Sequence, residues 1–170
     1  MNRTTVGGPE LGGGRGAGGV LVLVDAAGAA GAAGAEAGGS PVAELLVREL
    51  HPSVHLRTDD FLQVIRNGRL PAHGPGADRQ DVTVLAAAAQ AAFAYATGGY
   101  QVVVECPGAP ATLDTFRRES RTTGAALHHV VLTTTAATTP YELDTSALTP
   151  ETTAKSVLDA LAARTHLLGW

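Results

Sequence analysis

Three short strand-like segments each lead into a carboxylate. Val20-Leu21-Val22-Leu23-Val24 is followed by Asp25, Val54-His55-Leu56-Arg57 passes through Thr58 to Asp59 and Asp60, and Val102-Val103-Val104 is followed by Glu105. The unbroken apolar run Val20 to Val24, bounded by glycine, reads as a strand buried on both faces of a parallel sheet, and the other two read as further strands. Ligands of such sheets gather at the carboxyl ends of the strands, where these acids stand. Carboxylates, with His73 in the loop after Leu70, are groups that carry protons in general acid–base chemistry. Arg66, Arg69 and Arg79 border the same region and could hold an anionic substrate group, with Phe61 beside them.

Each residue also has a plain structural reading. Asp59 suits the cap of a short helix at Phe61, Glu105 can simply end a strand in water, and the three arginines can be a solvated surface. Arg117 and Arg118 read as a solvated helix face. Cys106 reads as an inert buried thiol. His128-His129 falls inside a strand, so its two rings point apart; one is expected buried and one exposed, which forms no metal pair.

What the chain lacks bounds its chemistry further. Lys155 is the single lysine among twelve basic residues, and the net charge is −4. Without a basic stripe, nucleic acid is excluded as a partner. One cysteine allows neither an intrachain disulfide nor a cysteine-based zinc cluster. No apolar run approaches the length that crosses a bilayer, so a soluble cytoplasmic protein with no membrane partner is expected.

The elements that must position these groups follow from local pattern. Residues 1–19 are glycine-rich and are expected to be a mobile tail, leaving residues 20–170 as one domain. Residues 25–39 are an alanine and glycine tract, expected to be a flexible loop. Ser40-Pro41 gives a helix start, the serine hydroxyl capping free amides and the proline fitting the first turn; that helix runs to about Leu50. Strands are expected at Val54 to Arg57, Gln101 to Glu105, Leu127 to Leu132 and Tyr141 to Asp144. Helices are expected around Phe61 to Ile65, from about Asp81 to Thr97, from Leu113 to Thr122, and from Thr149-Pro150 to about Arg164. Strands alternating with helices imply a parallel sheet with right-handed crossovers and helices on both faces.

The arrangement resembles the small P-loop kinases that include chloramphenicol phosphotransferase and the zeta toxins. The resemblance is carried by Val20 to Val24, by Ser40-Pro41-Val42-Ala43-Glu44-Leu45-Leu46, by Arg57-Thr58-Asp59-Asp60-Phe61, by Val102-Val103-Val104-Glu105, and by the closing segment from Leu143 to Glu151. It implies an α/β three-layer sandwich with about five parallel strands in the order 2-3-1-4-5. That order would bring Asp59 and Asp60, then Glu105 and Cys106, then Asp25 side by side, where mutual repulsion would let one acid keep its proton near neutrality. In that family the first strand leads into GxxxxGK[ST], whose lysine bridges the phosphates. Aligning Ser40 with the hydroxyl position puts Gly39 where the lysine belongs, and Asp25 and Glu36 add negative charge. The family's arginine-bearing lid is also missing, since only Thr133 to Pro140 separate the last two strand regions.

The acceptor side is kept while the nucleotide side is dismantled. The leading expectation is therefore a nucleotide-independent enzyme, acting on a small polar molecule by elimination, isomerisation, cyclisation or hydrolysis. In it Asp59 is the general base by resemblance, Asp60, Glu105 and His73 assist, Asp25 lines the substrate pocket, Ser40 is a nucleotide-site remnant, and neither cofactor nor metal is used. The alternatives are a phosphotransferase using magnesium and ATP, and a noncatalytic partner module, with a homo-oligomer possible through the alanine-rich helix or Trp170.

Overall fold

Strand and helix alternate as the apolar runs require. The computed structural model of the chain describes residues 11, 18–25, 40–71, 74–106 and 110–168. Its elements are β1 (Gly19–Asp25), α1 (Pro41–Glu49), β2 (Ser53–Arg57), α2 (Thr58–Gln63), α3 (Ala77–Thr97), β3 (Gln101–Glu105), α4 (Pro110–Thr123), β4 (Ala126–Thr133), β5 (Glu142–Asp144), α5 (Pro150–Ala162) and β6 (Leu167–Leu168). Five strands pair in parallel in the order β2-β3-β1-β4-β5, and β6 runs antiparallel on β4. The 2-3-1-4-5 order is the one expected.

Alternation along each strand divides the interior into two cores. Val20, Val22 and Val24 of β1 join Val102 and Val104 of β3 beneath Leu85, Ala89, Ala92 and Phe93 of α3 and Phe116 of α4. Leu21 and Leu23 join Val103, Val130 and Leu132 on the other face, beneath Val42, Ala43 and Leu46 of α1 and Ala154, Val157 and Leu161 of α5. Alanine-rich α3 can lie close to the sheet because its inward face carries mostly methyl groups, with Phe93 filling the gap against Phe116 at 6.4 Å between ring centroids.

Several boundaries differ from expectation. Helix α3 begins at Ala77, a turn before Asp81, because Gly76 adopts a left-handed conformation (φ 83°) that turns the chain directly into the helix. Helix α4 opens at Pro110 instead of Leu113, proline being suited to a first turn. Strand β6, absent from the sequence reading, is only two residues long, too short for a periodic signal. Leu11, assigned above to a mobile tail, is buried; its N–H donates to Gln101 Oε1 at 2.7 Å and its carbonyl accepts from His128 Nε2 at 2.9 Å. Gly19 has no room for a side chain there, since a Cβ would fall 2.6 Å from that of Leu11. The tract at 26–39 lies outside the described residues, as does Trp170.

Both rings of His128-His129 are buried, contrary to the expected single one, because β4 is covered on both faces. His128 points toward Leu11, and His129 packs at 5.7 Å from the ring of Tyr141. Among the described residues no helix is long and apolar enough to cross a membrane.

The start of α5 shows how local sequence fixes a boundary. Thr149 Oγ1 accepts from the N–H of Thr152 while Thr152 Oγ1 accepts from the N–H of Thr149, and Pro150 occupies the first turn. Thr149→Ala is expected to lower unfolding free energy by about 1 kcal/mol, read as an earlier urea midpoint with unchanged m-value.

Candidate functional site

Side-chain alternation on β2 sets up the site. Val54 and Leu56 pack against the α3 side of the sheet, so Ser53, His55 and Arg57 face the α1 side. Register then places Arg57 opposite Glu105, and Glu105 opposite Leu23 of β1. Glu105 shares the face of Val103 and therefore lies beside the polar stripe of β2.

The Glu105 carboxylate joins three segments. Its Oε1 accepts from the backbone N–H of Ser40, the residue preceding α1, at 2.6 Å. Its Oε2 accepts from His55 Nε2 at 2.7 Å and lies 3.9 Å from Arg57 Nε. The three side chains are largely shielded, 17% exposed for Glu105, 22% for His55 and 25% for Arg57, so water screens the pairings less than on an open surface. Charge-assisted bonds of this kind are about twice as strong as neutral ones.

The Asp25 side chain expected to crowd Glu105 lies outside the described residues. The described partners of Glu105 are a backbone donor, an imidazole and a guanidinium, because register turns the donors of β2 toward it. Ser40 also departs from expectation: its side chain makes no capping bond to α1, and its N–H is what engages Glu105. Cys106 is buried, donates its backbone N–H to the Leu23 carbonyl, and has a thiol pushed up to about 12, first by burial and then by the charge of Glu105. That thiol stays protonated and inert, as the sequence suggested.

Asp59 and Asp60 follow Arg57 after Thr58 and stand exposed in the first turn of α2. The reading of Asp59 as a helix cap does not hold, because the helix starts one residue earlier; Arg57 is the cap residue, with no side-chain capping bond. Phe61 is half-buried, while Arg66, Arg69 and Arg79 are exposed. Arg79 lies in the first turn of α3, and the loop before it is tied down by Leu70 N–H to Gln80 Oε1 at 2.8 Å. His73 lies outside the described residues, and of Asp25 only the backbone at the end of β1 is described. The structure thus brings together Ser40 and Glu105, sets Asp59 and Asp60 one step further along the chain, and draws no described contact from Arg66, Arg69 or Arg79 to Glu105.

His55 and Arg57 were missed. Their signal was available: polar residues at 53, 55 and 57 alternate with Val54 and Leu56, which marks one strand face as built for polar partners.

Lys155 is on α5, in an exposed pair with Asp159 at 2.7 Å. Between β4 and β5 runs an exposed turn, held by Thr138 N–H and Oγ1 to Glu142 Oε2 at 2.6 and 3.0 Å. Those bonds hold the Glu142 carboxyl below its ordinary range. Among the described residues no group of three histidine, cysteine or acidic side chains is placed to hold a metal ion.

No family model and no curated protein matches the chain. Solved structures do. The APS kinase CysC of Mycobacterium tuberculosis is 18% identical, with a TM-score of 0.58 over 86% of this chain and 98% of that one. The hexameric APS kinase from Thiobacillus denitrificans is 15% identical, with a TM-score of 0.53 over 88% of this chain and 30% of that one. The tunicamycin resistance protein of Deinococcus radiodurans is 14% identical, with a TM-score of 0.55 over 89% and 99%. Together with the observed strand order, these similarities give the chain the P-loop kinase-like α/β fold.

Proposed function

We propose that the chain is a small-molecule phosphotransferase, moving the γ-phosphoryl group of Mg-ATP to a hydroxyl of a small polar acceptor held beside Asp59. The observation that carries this reading is the convergence of the α1 N-terminus, Glu105 at the end of β3 and Arg57 at the end of β2, with Asp59 two residues further on in α2, on a scaffold shared with kinases. Asp59 takes the acceptor's proton as its oxygen bonds to the γ-phosphorus and the bond to the bridging oxygen breaks, releasing ADP. Amides at the start of α1 face the phosphates, as helix N-termini do. On this reading Arg57, 3.9 Å from Glu105, supplies the positive charge that the phosphates require. Asp60 would offer a hard carboxylate oxygen to the magnesium that accompanies the nucleotide.

Calorimetric titration with Mg-ATP, followed by label transfer from γ-labelled ATP to a panel of hydroxylated small molecules, tests the proposal. Saturable binding and labelled product are expected. A flat titration at millimolar nucleotide refutes it.

One observation favours a second reading, the nucleotide-independent acid–base enzyme. The Ser40 amide already holds Glu105, and Lys155 is paired with Asp159. On that reading the acceptor pocket turns over its substrate with no nucleotide added.

A further inference from the structure

We propose that the cleft between α1 and the edge strand β2 is a binding site for a small zwitterion of the amino-acid class, its ammonium held by Glu44, Ser53 and His55 and its carboxylate by Arg48. The site stands independently of the phosphotransferase reading. The cleft has a volume of about 510 Å³, is open to solvent, and is lined by Glu44, Val47 and Arg48 of α1 and by Ser53 and His55 of β2. Clefts of roughly 300–1,000 Å³ are the size that small ligands occupy.

Where the protons go decides what those side chains offer. Ser53 Oγ donates its one proton to the Val47 carbonyl at 2.6 Å, so it has only lone pairs for a ligand. His55 Nε2 lies 2.7 Å from Glu105 Oε2. A carboxylate only accepts, so Nε2 carries the proton and the neutral ring leaves Nδ1 bare. Nδ1 has no hydrogen-bond partner among the described residues. The hydroxyl, the imidazole and the Glu44 carboxylate are then acceptors on one cleft, and a protonated amine carries the N–H donors that match them. An anion alone would meet lone pairs and a negative charge there. Arg48 is the one cation of the lining, and it reaches Glu44 only at 3.9 Å, with both side chains well exposed. Such a surface pair is weak and yields to a ligand that brings an ammonium to Glu44 and a carboxylate to Arg48. One negative and one positive charge make the lining the complement of a zwitterion, and Val47 gives a short apolar side chain a surface to rest on.

The test is NMR titration of the isotope-labelled chain with L-alanine, ethylamine and propionate, which share a carbon skeleton and differ in their charged ends. Alanine is expected to shift the amides of the lining residues saturably, and each one-ended analogue to bind at least about tenfold more weakly. Glu44→Gln should weaken alanine and ethylamine while leaving propionate unchanged; Arg48→Gln should weaken alanine and propionate while leaving ethylamine unchanged. Both residues are exposed, so these variants keep the fold. His55→Phe keeps a ring, removes the acceptor, and should weaken alanine as Glu44→Gln does. Propionate binding as tightly as alanine, alanine shifts confined to other residues, or no saturable shift at millimolar alanine overturns the proposal. If His55→Phe does not fold, the two α1 variants decide it, and alanine affinity unchanged in both is equally fatal.

Discussion

Lowering the pH from about 7 to about 4.5 is expected to cost the fold several kcal/mol, and three buried histidines will account for it. His128, His129 and His166 all have pKa values below the ordinary 6.5, that of His129 falling to about 4. Burial is the first cause in each. For His129 the nearby charge of Arg117 and then His166 add to it, and for His128 the bond to the Leu11 carbonyl works the other way while Arg164 and His166 push down. The Nδ1 atoms of all three rings have no hydrogen-bond partner among the described residues, so a proton added there would be a buried orphan donor.

The sign follows from which state binds the proton. Above about pH 6.5 the rings are neutral both folded and unfolded, and this stability is fully present. Below it the unfolded chain takes up protons that the folded chain refuses, and each such histidine costs about 1.4 kcal/mol per pH unit until its folded pKa is reached. His129 alone accounts for a loss on the order of 3 kcal/mol by about pH 4, against typical domain stabilities of about 5–15 kcal/mol. The lowered carboxyls of Glu142, Asp144 and Glu151 start from ordinary values of 4.5, 3.8 and 4.5, so their contribution is lost at lower pH. Urea melts at pH 7, 6 and 5 read the effect directly. The midpoint should fall at each step, and His129→Gln should flatten the slope; a constant unfolding free energy from pH 7 to 5 removes the explanation.

Asp59→Asn carries the largest expected effect on activity. On the proposed reading it removes the base that receives the acceptor's proton, at a cost of about 10²–10⁴-fold in turnover. The side chain is exposed in the first turn of α2, where losing its charge costs a helix N-terminus about 0.3–1 kcal/mol at most. Folding should therefore survive, and Mg-ATP affinity should change little, which separates a catalytic loss from a structural one. Unchanged label transfer in the variant would move the base elsewhere, and Asp60 is the next residue to replace.

Much of the frame was legible because burial writes itself into short stretches. Val20 to Val24 and Val102 to Val104 have to be apolar on both faces if helices cover a parallel sheet on both sides, and this is visible without knowing their neighbours. Thr149-Pro150 marks a helix start because its capping partners are three residues away. Chain ends and short pieces were harder to read. Leu11 is a lone apolar residue among glycines, and only its seat between Gly19, Gln101 and His128 makes it part of the core.

By itself the sequence determined five of the six strands, most helices and the carboxylates at the strand ends, all of which depend on residue type and nearest spacing. Only the tertiary structure decided which partners those carboxylates have. Glu105 meets Ser40 across 65 residues and His55 across 50: parallel register puts Glu105 on the same sheet face as His55, and the packing of α1 on that face brings Ser40 to it. The same physics hid the second buried histidine: alternation told that His128 and His129 face opposite ways, but it could not tell that both of those sides were covered.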